Sequence, residues 1–294
     1  MSKMRVLLFG GALLLLGAIG GVYVWHARSN SANTTQEVTA NVGSYAALGD
    51  SVAAGDGLAK YVDASACDRT TTSYPELIAK QAHYDLQFIA CSGASSQVGI
   101  LEGQEVNKLT LEPQIKQLTT LATKPTLITM TIGANDMSWL QIFGACYTAT
   151  CGTPAETALV STRLAGLKTN LTNAFDTLQN DYTKSNGTPP KVMITGYYQP
   201  FAATVQSCSE MKDFDANELA WARSKVDDLN TTIKDVANNY SFATYVPVDF
   251  TGHELCTEDA WVQDFQAKAA FHPTDDGQQA IAKAIIAREA TLQK

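Results

Sequence analysis

Tyr45-Ala46-Ala47-Leu48-Gly49-Asp50-Ser51 is the stretch whose reading decides the fold. Apolar residues run unbroken into a Gly-Asp-Ser turn, followed by small residues and two further glycines, Gly55 and Gly57. A strand with no polar alternation is buried on both faces, which is the habit of a strand inside a parallel sheet. A buried strand that ends on a serine beside a flexible loop is also a common way to present a nucleophile. Gly-Asp-Ser is equally an ordinary turn composition, so the stretch gains chemical meaning only from the rest of the chain.

The rest of the chain repeats the pattern. Apolar runs of strand length recur at residues 86–90, 127–132, 192–195 and 242–248, again without strict alternation. Helical patterns lie between them. Residues 74–83 begin with Pro75 in the first turn, a favoured helix start. Residues 156–182 carry Leu159, Leu164, Leu167, Leu171, Phe175 and Leu178 at threes and fours, and 215–238 repeat the habit through Leu219, Val226, Leu229, Ile233 and Val236. Asp275 with Gln278 reads as a capping box opening a last amphipathic helix. Strand–helix alternation of this kind predicts an α/β fold, a three-layer α/β/α sandwich around a parallel five-stranded sheet.

Composition narrows the function. The chain has 294 residues with 45% hydrophobic and 17% charged content, enough for a large buried core. A net charge of −8 argues against a nucleic-acid partner, which needs a basic face. Lys3 and Arg5 precede an uncharged apolar run over residues 6–25, close to the roughly 20 residues a helix needs to cross a bilayer. No small-residue cleavage site follows it, so residues 1–26 read as a signal anchor in preference to a cleaved signal peptide. That implies a membrane link through the N-terminal segment and a body outside the cytoplasm. Residues 27–42, rich in Ser, Asn and Thr, read as a flexible linker, and residues 43–294 as the catalytic-size domain.

Six cysteines, all beyond the apolar run, fit an exported protein with three disulfides. Sequential pairing is expected: Cys67–Cys91, Cys146–Cys151 and Cys208–Cys256. The alternative of simple buried thiols stays open. No pair has C-x-x-C spacing, which argues against a zinc or redox site, and no metal or organic cofactor is expected.

In open parallel sheets ligands bind beyond the carboxyl ends of the strands. Here the first run ends at Gly49-Asp50-Ser51, the second at Cys91-Ser92-Gly93-Ala94-Ser95, and the third at Gly133-Ala134-Asn135-Asp136. His272 sits in Phe271-His272-Pro273, just before the final helix. This set resembles the SGNH hydrolase superfamily, the GDSL esterases and lipases, over nearly everything after the linker. Its four marker residues map to Ser51, Gly93, Asn135 and His272. Gly49-Asp50-Ser51-Val52 departs mildly, with Val where Leu is usual. Ser73-Tyr74-Pro75, the cysteine layout and Gly252-His253-Glu254-Leu255-Cys256 look like the secreted actinobacterial-type lipase and esterase branch.

The resemblance implies a serine ester hydrolase acting on lipid or small ester substrates; with the export signals it is expected outside the cytoplasm, and as a monomer. Ser51 would be the nucleophile and His272 the general base. Ser51, Gly93 and Asn135 would form the oxyanion hole. The family usually has Asp three residues before the histidine, and here that position is Ala269. In the branch resembled, some members use a backbone carbonyl at that position, which assigns the histidine-orienting role to the Ala269 carbonyl. Asp264 and Asp249 are carboxylate alternatives without the family spacing. Two other functions are compatible with the pattern: a carbohydrate O-deacetylase on the same fold, and a catalytically silent surface-binding domain. His83 reads as a surface helix end, and His253 beside Glu254 as structural, since no H-E-x-x-H occurs. Trp139, Phe143, Tyr147, Tyr197, Tyr198 and Phe201 fall past strand ends, open between core packing and an acyl pocket.

Overall fold

A computed structural model describes residues 43–292, except 63–65, 149, 188, 205–207, 209, 210, 212 and 213. The apolar run and the linker lie outside the described residues. Among the described residues no helix is long and apolar enough to cross a membrane.

In chain order the elements are β1 (Ser44–Gly49), α1 (Ser51–Ala54), α2 (Tyr74–Ala82), β2 (Asp85–Phe88), β3 (Gln104–Val106), β4 (Leu109–Leu111), α3 (Gln114–Thr120), β5 (Leu127–Thr131), α4 (Ala134–Met137), α5 (Trp139–Thr148), α6 (Pro154–Asn186), β6 (Lys191–Thr195), α7 (Ala216–Ala237), β7 (Ala243–Val246) and α8 (Asp275–Leu292). Five strands form one parallel sheet in the order β2-β1-β5-β6-β7. Every residue of β1 and β5 is buried, whereas the edge strands β2 and β7 are mostly half-exposed. This is why the central runs lack alternation: both faces are covered. On one side α2 packs against α8, and on the other α6 packs against α7 and α3.

The strand order has a consequence for the site. From β1 the chain steps outward to β2, then returns to the other side of β1 at β5. Between β1 and β5 the winding reverses, and loops leaving the two strands part in opposite directions to open a crevice. Gly49-Asp50-Ser51 and Gly133-Ala134-Asn135 both emerge there.

Helix starts follow local chemistry. Thr153 caps α6 and Asp215 caps α7, each closing a capping box with Glu156 or Glu218. At α8 the expected box is absent. Thr274 accepts from the Gly277 N–H instead, Asp275 is already helical, and the Gln278 side chain points into the core. Sequence patterning also leaves out the β3–β4 hairpin, whose turn at Asn107 and Lys108 has positive φ, and α5, which is apolar around most of its circumference. Three disulfides join Cys67 to Cys91, Cys146 to Cys151 and Cys208 to Cys256.

Candidate active site

Gly49 ends β1 with φ +133, and a Cβ there would lie 2.2 Å from the Thr131 carbonyl of the adjacent strand. Only glycine lets β1 and β5 run this close at the turn. The Gln114 side chain completes the grip, accepting from the Gly49 N–H at 2.8 Å and donating to its carbonyl at 2.9 Å. Asp50 donates its own N–H to Thr131 and caps α1 by accepting from Val52 N at 2.9 Å. Ser51 is therefore the first residue of a one-turn helix whose entry is fixed on both sides.

The histidine comes from the far end of the chain. His272 Nε2 lies 2.6 Å from Ser51 Oγ across 221 residues of sequence. Its other ring nitrogen, Nδ1, lies 3.0 Å from the Ala270 carbonyl. Here the structure corrects the expectation of Ala269. The Ala269 carbonyl accepts the backbone N–H of His272 and closes the turn, while the positive φ of Phe271 presents the Ala270 carbonyl to the ring. Neither carboxylate alternative serves the ring. Asp264 accepts from the N–H groups of Gln266 and Ala267, and Asp249 from that of Thr251. A carbonyl can only accept, so Nδ1 carries the proton and Nε2 is left as the acceptor facing the serine.

Gly93 and Asn135 line the same cavity as Ser51 and His272. Gly93 has φ +80, and Gln104 pins the peptide before it by donating to the Ser92 carbonyl at 2.7 Å. Asn135 Nδ2 donates one N–H to the Ala94 carbonyl at 2.7 Å. Asp136 accepts from both the N–H and the hydroxyl of Ser96. The loops after β2 and β5 are thus tied at two consecutive positions, and burial raises the Asp136 carboxyl despite the Ser96 hydrogen bonds.

Asp50 and Tyr197 bind the Ser51 turn to the Asn135 turn. The Tyr197 hydroxyl donates to Asp50 Oδ2 and accepts from Ala134 N at 3.1 Å. Its own backbone N–H and carbonyl are held by the Asn230 amide, both at 2.7 Å. Asp50 is fully buried, and desolvation outweighs its hydrogen bonds from Tyr197 and Val52, raising its pKa from 3.8 to about 7. A carboxyl raised in the folded state contributes stability that is complete below its unfolded value and is lost as pH rises through the folded one. The unfolding free energy of the wild type, measured relative to Asp50→Asn, should therefore fall by a few kcal/mol between about pH 4 and pH 7. Denaturant unfolding of both proteins across that window checks this; a difference that does not change with pH would refute it.

The cavity holds about 230 Å³. Beyond the polar groups, Val52, Trp139, Leu140, Tyr197, Tyr198 and Phe271 line it, with Asp56 as the one carboxylate in the wall among the described residues. The aromatic question thus divides. Trp139, Tyr197 and Tyr198 face the cavity, whereas Phe143 and Phe201 are fully buried and pack edge-on at 5.1 Å. Tyr147 stacks on Phe265 at 4.3 Å. His253 stacks on Trp261 at 3.6 Å, away from the cavity, and His83 is the left-handed C-cap of α2.

Several residues that build the site were not marked for that role in the sequence. Gln114 and Gln104 carry no signal, Gln278 reads as part of a helix cap and Tyr198 as a core or pocket aromatic, yet each holds a backbone group at the turns around Ser51, Gly93 and His272, at separations as large as 226 residues. A lone amide or phenol obeys no spacing rule that would mark it.

The GDSL-like lipase/acylhydrolase family model matches residues 47–280. A lipase of Streptomyces rimosus is 29% identical over 239 residues, covering 80% of this chain and 82% of that protein. Lipase 1 of Streptomyces coelicolor is 28% identical over 246 residues, with coverages of 80% and 82%. The crystal structure of phospholipase A1 from Streptomyces albidoflavus superimposes with a TM-score of 0.63 at 25% identity, covering 83% of this chain and 98% of that one. The extracellular lipase of Streptomyces rimosus shares the fold, with a TM-score of 0.62 at 24% identity and the same coverages. With its strand-end turns meeting at the β1–β5 crevice and the family match running from within β1 into α8, the chain belongs to the GDSL-like lipase/acylhydrolase family, in the actinobacterial lipase branch of the SGNH hydrolases, and is an ester hydrolase.

Proposed function

We propose that the protein cleaves lipid or small carboxylic esters outside the cytoplasm, through an acyl-enzyme on Ser51. The observation that carries this reading is the 2.6 Å approach of His272 Nε2 to Ser51 Oγ at the wall of a largely apolar cavity. His272 takes the serine proton as Oγ attacks the ester carbonyl, then returns it to the leaving alcohol. The N–H groups of Ser51 and Gly93 and the second N–H of Asn135 Nδ2 receive the oxyanion. The Ala270 carbonyl holds the ring in the tautomer this requires and favours the imidazolium with a partial charge, in place of the full charge of a carboxylate. Water then releases the acid. The chemistry calls on no metal or organic cofactor.

The acyl chain lies along Trp139, Leu140, Tyr198 and Phe271, where an aliphatic tail removes most apolar wall from water. Relatives named lipase and phospholipase A1 support this class of substrate. Three disulfides and the charged start before the apolar run at residues 6–25 support export, with residues 1–26 as leader or anchor, 27–42 as linker and 43–294 as the hydrolase domain. The domain acts as a monomer.

A panel of p-nitrophenyl esters, run beside acetylated glycans and combined with fluorophosphonate labelling mapped by peptide analysis, tests the reading. Labelling at Ser51 is expected, with kcat/KM rising from acetate towards longer chains and no deacetylation of glycans. Preference for acetylated glycan would move the activity to carbohydrate O-deacetylation. Failure both to label and to hydrolyse any activated ester would leave only a surface-binding role.

A further inference from the structure

Among the described residues no carboxylate meets the His272 ring, and the acceptor it does have, the Ala270 carbonyl, is only two residues back in its own chain. Such a carbonyl reaches the ring only if the intervening residue folds the chain sharply. Phe271 does so with φ +65, in the left-handed region that a residue with a Cβ enters at a cost. Phenylalanine has no short polar side chain to favour that conformation locally. The surroundings must impose it.

Three groups hold the turn. The Phe271 N–H donates to the Gln263 carbonyl at 2.9 Å, and the Gln263 N–H donates to the His272 carbonyl at 2.8 Å. The Phe271 ring is buried against Phe265, Phe201 and Phe143, with centroids at 4.5, 5.6 and 6.0 Å. The third hold is the Tyr198 hydroxyl, which donates to the Phe271 carbonyl at 2.5 Å. Tyr198 is itself immobilised, buried and stacked on Phe250 at 4.2 Å and 11°. Burial pushes its phenol well above the ordinary value, so it stays a donor at every working pH.

We propose that Tyr198 is a positioning residue for the general base: its hydroxyl clamps the strained Phe271 peptide so that the Ala270 carbonyl stays on His272 Nδ1, the task a carboxylate performs in a triad. The proposal rests on the roles given above to Ser51 and His272. Without the hydroxyl, Phe271 relaxes towards negative φ and swings the Ala270 carbonyl away from the ring. Nδ1 then has no fixed acceptor, the proton distributes over both nitrogens, and part of the population presents a protonated Nε2 to the serine.

Tyr198→Phe removes one oxygen and keeps the ring. It is compared with the wild type in the full domain, with kcat referred to sites titrated by fluorophosphonate so that only folded enzyme is counted. The chain has four histidines, so 15N-histidine spectra, assigned by the loss of signals in His272→Asn, report the His272 tautomer directly. The wild type is expected to show a single neutral tautomer protonated at Nδ1. Tyr198→Phe is expected to show a mixture, with kcat lower by about tenfold or more and KM within about twofold. An unchanged single tautomer in the variant overturns the proposal whatever the rate does. So does a kcat within about twofold of wild type, or a rise in KM alone, which would assign Tyr198 to substrate binding. Were the wild type neither to hydrolyse esters nor to label at Ser51, the catalytic reading would fail, while the spectra would still decide the clamp.

Discussion

Ser51→Ala is expected to lower kcat by about 10⁴–10⁶-fold with little change in KM, and to abolish fluorophosphonate labelling. The magnitude follows from what the residue does in covalent catalysis: without Oγ no acyl-enzyme forms, and what remains is binding and oxyanion stabilisation acting on water. His272→Ala should fall in the same range, because an unassisted hydroxyl is a weak nucleophile near neutral pH. The double variant should be hardly worse than either single one, since the pair works as a unit. Steady-state kinetics of the three proteins check this. Additive losses would mean that Ser51 and His272 act in separate steps, against their 2.6 Å contact. Stability is not expected to change much on truncating Ser51, whose side chain is only half-buried and meets the histidine at the wall of an open cavity.

Asn135→Ala is the second large effect, a loss of about 10²–10³ in kcat with KM nearly constant. Nδ2 has two N–H groups. One is committed to the Ala94 carbonyl at 2.7 Å, and the other is the donor assigned to the developing oxyanion. The first bond fixes the direction of the second, which is what makes the donor preorganised and therefore strong in the transition state. Truncation also strips the Ala94 carbonyl of its partner, costing about 1 kcal/mol of stability. Asn135→Asp should be at least as slow, because its carboxylate repels both the Ala94 carbonyl and the oxyanion. Equal falls in kcat and kcat/KM are the signature of an interaction made only in the transition state. A rise in KM at constant kcat would instead place Asn135 in ground-state binding.

Much of this architecture was legible because it is written in local patterns. Fully apolar runs betray strands covered on both faces, and the central pair β1 and β5 are buried at every position. Leucine stripes at threes and fours mark α6 and α7, whose capping boxes at Thr153 and Asp215 are equally local. Elements without such a pattern were missed. Helix α5 has too little polar face to show a period, and β3 and β4 are three residues each. The capping box expected at Asp275 and Gln278 failed for a tertiary reason. The Gln278 amide accepts from Tyr74 N at 2.8 Å and donates to Val52 O at 3.0 Å, tying α8 to α2 and α1 and leaving nothing for its own helix end.

Gly49-Asp50-Ser51 marks the difference between the two levels. By itself the sequence determined the kind of sheet and the turns at its strand ends, because strand burial and turn chemistry depend on neighbours along the chain, and the family resemblance picked out Ser51, Gly93, Asn135 and His272 among them. Only the tertiary structure decided how the turns are held and which group faces the histidine ring. Gln114 grips Gly49 from 65 residues away, Tyr197 joins Asp50 to Ala134, and Tyr198 fixes the Phe271 turn that brings the Ala270 carbonyl, rather than that of Ala269, to Nδ1. Apart from the Tyr197–Asp50 contact these are hydrogen bonds to backbone groups, and any chain can offer a backbone carbonyl at any position. Which one is used depends on φ and ψ at a strained turn, and that is set by packing across the fold.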